Sequence, residues 1–265
     1  MNIEKIKKTS KSRLENVDTY KIVCDDPEKY IQATRTLKSA NEVGSGINDF
    51  VHVALKRECV IKVHFTKSMF TKNEINIMKL IKDKPYVVKH ICTYSCLDDK
   101  KRWMEHPQHN KESLDQLTFM IMDYIPNGDV ANFLKNATKQ QIKALFIQCA
   151  FAMIDMAETC SVSQGDFNSG NVLVSTEKPT TKKINIGKKQ YTFNTHGVKP
   201  LFIDFGRGYI RETKAKYIIK DIITLFLNYI PDVQFQNKLN DMIFEILEKP
   251  KPRFSHIFEP LFNLS

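Results

Sequence analysis

Asp166-Phe167-Asn168-Ser169-Gly170-Asn171 sets a carboxylate and a carboxamide five residues apart, directly before the apolar run Val172-Leu173-Val174. Asp204-Phe205-Gly206 directly follows a second apolar run, Leu201-Phe202-Ile203. Two carboxylates and an amide oxygen at the ends of adjacent strands are hard oxygen donors suited to Mg²⁺, and one carboxylate can instead accept a proton from an attacking hydroxyl. Upstream, Cys59-Val60-Ile61-Lys62 puts a lysine within an apolar strand, where burial is costly unless the ammonium meets an anion. Glu74, twelve residues on in a stretch of helical pattern, can supply that anion. Gly44-Ser45-Gly46-Ile47-Asn48-Asp49-Phe50-Val51 matches a G-x-G-x-x-G-x-V loop except at Asp49, which stands at the third Gly. Such glycines let a strand-turn-strand backbone approach phosphates closely, and the branched Val51 can lie over a purine. Each motif alone is an ordinary turn or a snorkelling lysine. Their order along one chain is poorly explained by chance.

These residues need elements to hold them. From about Val43 to Tyr124 the pattern is β-rich with one helical interruption: strands over 50–54, 59–65, 87–94 and 117–124, and a helix near Thr71 to Ile81. Pro126-Asn127-Gly128-Asp129 punctuates the chain, after which Thr138-x-x-Gln141 reads as a capping box. Ile142, Leu145, Phe146, Cys149, Met153 and Met156 continue from it at helical spacing. The second half is expected to be mainly helical, with a lysine-rich ribbon or loop over 177–199 and helical pattern again from Tyr217 to Phe226 and from Leu239 to Leu247, ending at Pro250.

In this arrangement the chain resembles the eukaryotic-type protein kinase superfamily, over about Val43 to Phe226. The resemblance implies an α/β (α+β) fold of two lobes: a basic extension over 1–40, a small β-rich lobe over 41–124, and a helical lobe over 125–265 with an insert at 176–199. ATP and Mg²⁺ would bind between the lobes. It makes Gly44, Ser45, Gly46 and Val51 the loop over the nucleotide, and Lys62, paired with Glu74, the holder of its α- and β-phosphates. Met122 resembles a gatekeeper, with Asp123 to Ile125 offering backbone hydrogen bonds to adenine and Asp129 a ribose contact. Asp166 resembles the catalytic base, Asn171 and Asp204 the metal ligands, and Asp221 a brace beneath the catalytic loop. The implied reaction is transfer of the γ-phosphate of ATP to Ser or Thr hydroxyls of proteins.

The chain also departs from the family. Gln164-Gly165-Asp166 stands where His-Arg-Asp is usual, and no A-P-E follows Gly206 before Asp221, so activation-loop phosphorylation is not expected to be the switch. Asn168 stands where serine/threonine kinases carry a lysine, and Arg207 is a candidate to replace that cation. The compact tail is similar to haspin-like kinases and to divergent protein kinases of large DNA viruses. Gly165-Asp166 and Gly170-Asn171 look like small-molecule phosphotransferases of the aminoglycoside and choline kinase type, which keeps that alternative open beside a nucleotide-binding pseudokinase.

Composition bounds the partners. The chain has 265 residues, 42% of them hydrophobic, which suffices for a sizeable core, and a formal net charge of +10. No apolar run reaches the roughly eighteen residues of a membrane span, the N-terminus lacks the apolar core of a signal peptide, and six scattered Cys make no disulfide framework. A cytoplasmic or other reducing compartment is expected. His90, Cys92, Cys96, His106 and His109 match no common zinc-ligand spacing. Residues 161 to 221 hold eleven Lys or Arg against five Asp or Glu, so the charge concentrates around the proposed site. That argues against a general nucleic-acid surface and for a basic rim favouring acidic protein substrates.

Overall fold

A computed structural model of the chain describes residues 42–45, 49–54, 59–64, 69–96, 117–186, 188–211, 217–218, 221, 232–248 and 256. It is a mixed α and β structure with small sheets and a few helices. The described residues up to Ile75 and those of Lys89–Tyr124 form one compact unit; Asn76–Val88 and those from Ile125 onward form a second. Gly46, the Lys-rich residues 1–40, His106 and His109 lie outside the described residues.

The first unit holds a five-stranded antiparallel sheet in the order β1-β2-β3-β5-β4. Its strands are β1 Glu42–Ser45, β2 Asp49–Ala54, β3 Cys59–His64, β4 His90–Cys96 and β5 Leu117–Asp123. Gly44 and Ser45 end β1, with Val51 paired to Gly44 and Phe50 to Ser45. β3 lies between β2 and β5, so both of its edges are hydrogen-bonded, and side chains on both faces are buried: Ile61 with Phe119 and Ile121 on one, Lys62 and His64 with Met120 and Met122 on the other. The alternation of a strand puts Lys62 and His64 on the same face.

Helix α1, Met69–Ile81, carries its buried residues at helical spacing: Thr71, Glu74, Ile77, Met78 and Ile81. Glu74 therefore belongs to the inward stripe rather than the solvent face. The division between the two units falls within this helix.

In the second unit, Asp129 caps the short α2, Val130–Leu134, through a 2.8 Å hydrogen bond accepted from the Asn132 amide. The capping box forms in full: Thr138 Oγ1 accepts from the Gln141 amide, and the Thr138 amide donates to Gln141 Oε1. It starts α3, Lys139–Cys160, which buries Leu145, Cys149, Ala150 and Ala152 completely. Strands then come in antiparallel pairs: β6 Val162–Ser163 with β11 Tyr209–Ile210, β7 Val172–Thr176 with β10 Val198–Phe202, and β8 Thr181–Ile186 with β9 Lys189–Asn194. The described part of residues 162–211 is thus mostly strand: the apolar runs at 172–174 and 201–202 lie in β7 and β10 and the lysine-rich stretch forms the β8–β9 ribbon, while pairs as short as β6 and β11 leave no periodic pattern to read. Helix α4 spans Val233–Glu248. Among the described residues, no helix is long and apolar enough to cross a membrane.

The segment after α1 is bound to this second unit by its backbone. The Phe202 amide donates to Tyr86 O at 2.8 Å, and the Val88 amide donates to Phe202 O at 3.2 Å. Side chains add to it: Lys84 Nζ reaches Asp155 on α3 at 2.6 Å and Thr159 at 2.7 Å, and the Tyr86 hydroxyl donates to the same carboxylate. Burial, then that acidic partner, raises the pKa of the Tyr86 phenol well above the ordinary tyrosine value.

Candidate active site

Two constellations carry the candidate chemistry, one in each unit. In the first, Lys62 Nζ donates to both oxygens of Glu74, at 3.0 Å to Oε2 and 3.3 Å to Oε1. Lys62 is 4% and Glu74 2% exposed. A buried ion pair is a costly arrangement that adds little stability over apolar packing, which marks it as a site candidate rather than a fold requirement. His64, which the sequence reading passed over, places Nε2 3.6 Å from Glu74 Oε2. The signal for it was available, since a residue two positions after an inward lysine on a strand shares its face.

Met122, the expected gatekeeper, is buried near the end of β5 and pairs with Val60 and His90. Asp123 and Tyr124 are half-buried. The Asp123 amide donates to Lys89 O at 3.1 Å, so a backbone hydrogen bond from Asp123 to a base would use its carbonyl. Burial holds the Asp123 carboxyl above its usual range, with Lys89 pulling the other way. Asp129, expected at a ribose, has one carboxylate oxygen committed to capping α2.

The second constellation lies where β7 and β10 meet. Val172 pairs with Phe202, and beyond that pair the Ile203 amide donates to Asn171 O at 3.1 Å. This register brings the residues before β7 beside those after β10, so Asp166, Asn171 and Asp204 come from adjoining segments. Asn171 is buried and its Nδ2 donates to Asp166 O at 2.7 Å, which leaves the amide oxygen as its remaining polar end. Asn168 Nδ2 donates to the same carbonyl at 3.1 Å, while its Oδ1 accepts from the Gly170 amide at 2.9 Å.

Gln164 ties the two segments together. It is 1% exposed, and Oε1 accepts from the Asp166 amide at 2.8 Å. Its Nε2 donates to Asp204 O at 2.9 Å and Ile203 O at 3.2 Å. A residue noted in the sequence only as a departure from His is thus the brace between the proposed base and the proposed metal ligand. Asp204 has φ +56°, a left-handed conformation that Asp tolerates better than most residues and that recurs at functional sites. Phe205 is fully buried, and Phe167 stacks on Phe202 with ring centroids 5.3 Å apart.

Close backbone contact explains Gly165. Its φ is +77°, and a Cβ there would sit 2.1 Å from Arg207 O and 2.7 Å from Arg207 C. No side chain fits. Arg207 itself is exposed, with Nε 3.9 Å from Asp166 Oδ2.

The donor set fits a small hard cation. Among the described residues no group of three or more His, Cys, Asp or Glu side chains gathers as a metal cluster. One carboxylate from Asp204 and one amide oxygen from Asn171 are the sparse protein contribution that Mg²⁺ accepts when phosphate and water oxygens complete its shell.

The lysine-rich stretch expected as a ribbon or loop forms the antiparallel β8–β9 pair. It begins beyond Thr176, at the end of β7 away from Asn171, and five residues of strand separate the two by roughly 16 Å. Its apolar face buries Ile184, Ile186 and Phe193, and Lys182 anchors it through Gln148 on α3. Lys178, Lys183, Lys188 and Lys189 are exposed, and Lys214, Lys216 and Lys220 of the expected basic rim lie outside the described residues.

The chain matches no protein-family model and no curated protein.

Proposed function

We propose that the chain is an ATP- and Mg²⁺-dependent kinase of the two-lobed protein kinase type, transferring the γ-phosphate to Ser or Thr hydroxyls of proteins. The observation that carries this reading is the brace of Gln164 and Asn171 on both sides of Asp166. One side chain binds the Asp166 amide and the Asp204 carbonyl, the other binds the Asp166 carbonyl. Such fixing of the backbone that carries a half-exposed carboxylate suits a reaction that depends on positioning and electrostatics.

In this reading Asp166 accepts the proton of the attacking hydroxyl. Asn171 Oδ1 and the Asp204 carboxylate would hold Mg²⁺, which would supply charge to offset the phosphates of the nucleotide. Lys62, held by Glu74, binds the α- and β-phosphates. The lack of room for any side chain at Gly165 keeps a small-molecule phosphotransferase as the second reading, because that glycine belongs to its likeness.

Incubation with γ-labelled ATP and Mg²⁺ against mixed proteins on one side, and aminoglycosides and amino-alcohols on the other, tests activity and acceptor class together. Label on protein Ser or Thr, lost in Asp166→Asn while Mg²⁺-ATP still raises the melting temperature, is the expected result. Label only on small molecules moves the assignment to the second reading. No transfer and no Mg²⁺-dependent shift with ATP refutes both.

A further inference from the structure

Arg207 combines a clamped backbone with an exposed side chain. Its carbonyl occupies the space a side chain at 165 would need, and the next amide, Gly208, donates to Phe205 O at 2.9 Å. A Cβ on Gly208 would meet Ile77 Cδ1 at 2.7 Å and Ser163 O at 2.9 Å, so the turn is packed on that side too. The guanidinium nevertheless leaves this packing, 63% exposed, and stands beside the Asp166 carboxylate. An ion pair so exposed and so long contributes little to stability. The tight packing around its backbone therefore has no explanation in the pair itself.

Around Asp166 three amide side chains are committed to backbone groups. Gln164 and Asn168 each use both ends of the amide on backbone groups, and Asn171 uses its nitrogen on Asp166 O. None of the residues 163–171 is cationic. A phosphoryl group arriving next to the Asp166 carboxylate would meet a like charge, and Arg207 is the cation that the described residues place beside that carboxylate. A guanidinium is planar, permanently charged and presents several donors in a fork, so it can serve a phosphate while staying beside a carboxylate.

We propose that Arg207 is the catalytic cation of the transfer site, its guanidinium binding the oxygens of the γ-phosphoryl group as that group moves. The proposal rests on the kinase reading above. In the step, the bond from the acceptor oxygen to the γ-phosphorus forms as the bond from that phosphorus to the bridging oxygen of ADP breaks; the acceptor's proton goes to Asp166, and ADP leaves with the bridging electron pair. Arg207 gains its contact as charge spreads over the equatorial oxygens, so its effect falls on turnover and not on nucleotide affinity.

Calorimetric titration with ADP and Mg²⁺, with and without aluminium fluoride as a planar mimic of the moving phosphoryl group, reads this without requiring turnover. The wild-type chain should bind the mimic complex more tightly than ADP alone. Arg207→Ala should lose about 100-fold of that gain while keeping the wild-type affinity for ADP and Mg²⁺, and Arg207→Lys should recover only part. The unchanged ADP affinity shows that the variant is folded. With an acceptor in hand, kcat should fall by a similar factor with KM for ATP unchanged. An equal gain from aluminium fluoride in Arg207→Ala and wild type overturns the proposal, as does a wild-type chain that gains nothing. A wild-type chain that binds neither ADP nor ATP with Mg²⁺ overturns the kinase reading itself.

Discussion

Gly165→Ala tests the packing on which the second constellation depends. Two separable costs are expected. At φ +77° an L-residue sits in the left-handed region, costing about 1–2 kcal/mol. The new Cβ, 2.1 Å from Arg207 O, must also drive the 206–208 backbone away by roughly an ångström, since real Cβ contacts rarely fall below 3.0 Å. That backbone is held by Gly208 against Ile77 and Ser163, so the shift resembles overpacking of a core, about 1–3 kcal/mol. Gly128→Ala separates the two: its φ is +69°, and nothing lies within 4 Å of its Cβ position. Urea unfolding of both variants should place Gly128→Ala about 1–2 kcal/mol below wild type and Gly165→Ala a further 1–3 kcal/mol lower, with unchanged slope. Equal midpoints for the two variants would refute the close approach of residues 165 and 207.

Lys62→Met leaves Glu74 buried without its closest ammonium and should cost about 3–5 kcal/mol near neutral pH by urea unfolding. Tyr86 carries an alkaline signature. Its folded value lies above the unfolded tyrosine's, so its contribution to stability is complete below about pH 10 and declines as pH rises beyond that. Comparison of wild type with Tyr86→Phe should show no difference in tyrosinate absorbance at about pH 11 while the protein is folded, and a difference of one tyrosine once unfolded; a difference in the folded state would count against the buried hydrogen bond to Asp155.

Much of the first constellation was legible because periodicity carries it. Lys62 lies in an apolar strand, and Glu74 lies three residues after Thr71 and four before Met78 on one helical stripe, so spacing alone aims both inward. The capping box at Thr138 and Gln141 was legible for the same reason: it is local. His64 was equally local and went unread. By contrast, the Lys84–Asp155 and Tyr86–Asp155 contacts join residues about seventy positions apart, and nothing in either neighbourhood announces the other. The ribbon's position also needed register, since five paired residues of β7 and β10 are what carry its lysines away from Asn171.

Gln164 and Gly165 read in the sequence as two separate losses, of a His and of an Arg. In three dimensions they are one coupled solution. For one short amide side chain to bind the Asp166 amide and the carbonyls of residues 203 and 204, the segment after β10 must run close against residues 164–166. That same closeness puts Arg207 O where a side chain at 165 would begin. A His-Arg pair in these positions would have to push the 206–208 backbone aside, and with it the guanidinium beside Asp166. The missing Arg at 165 and the exposed Arg207 are therefore consequences of a single backbone approach, and a variant restoring Arg at 165 should disrupt this loop rather than improve it.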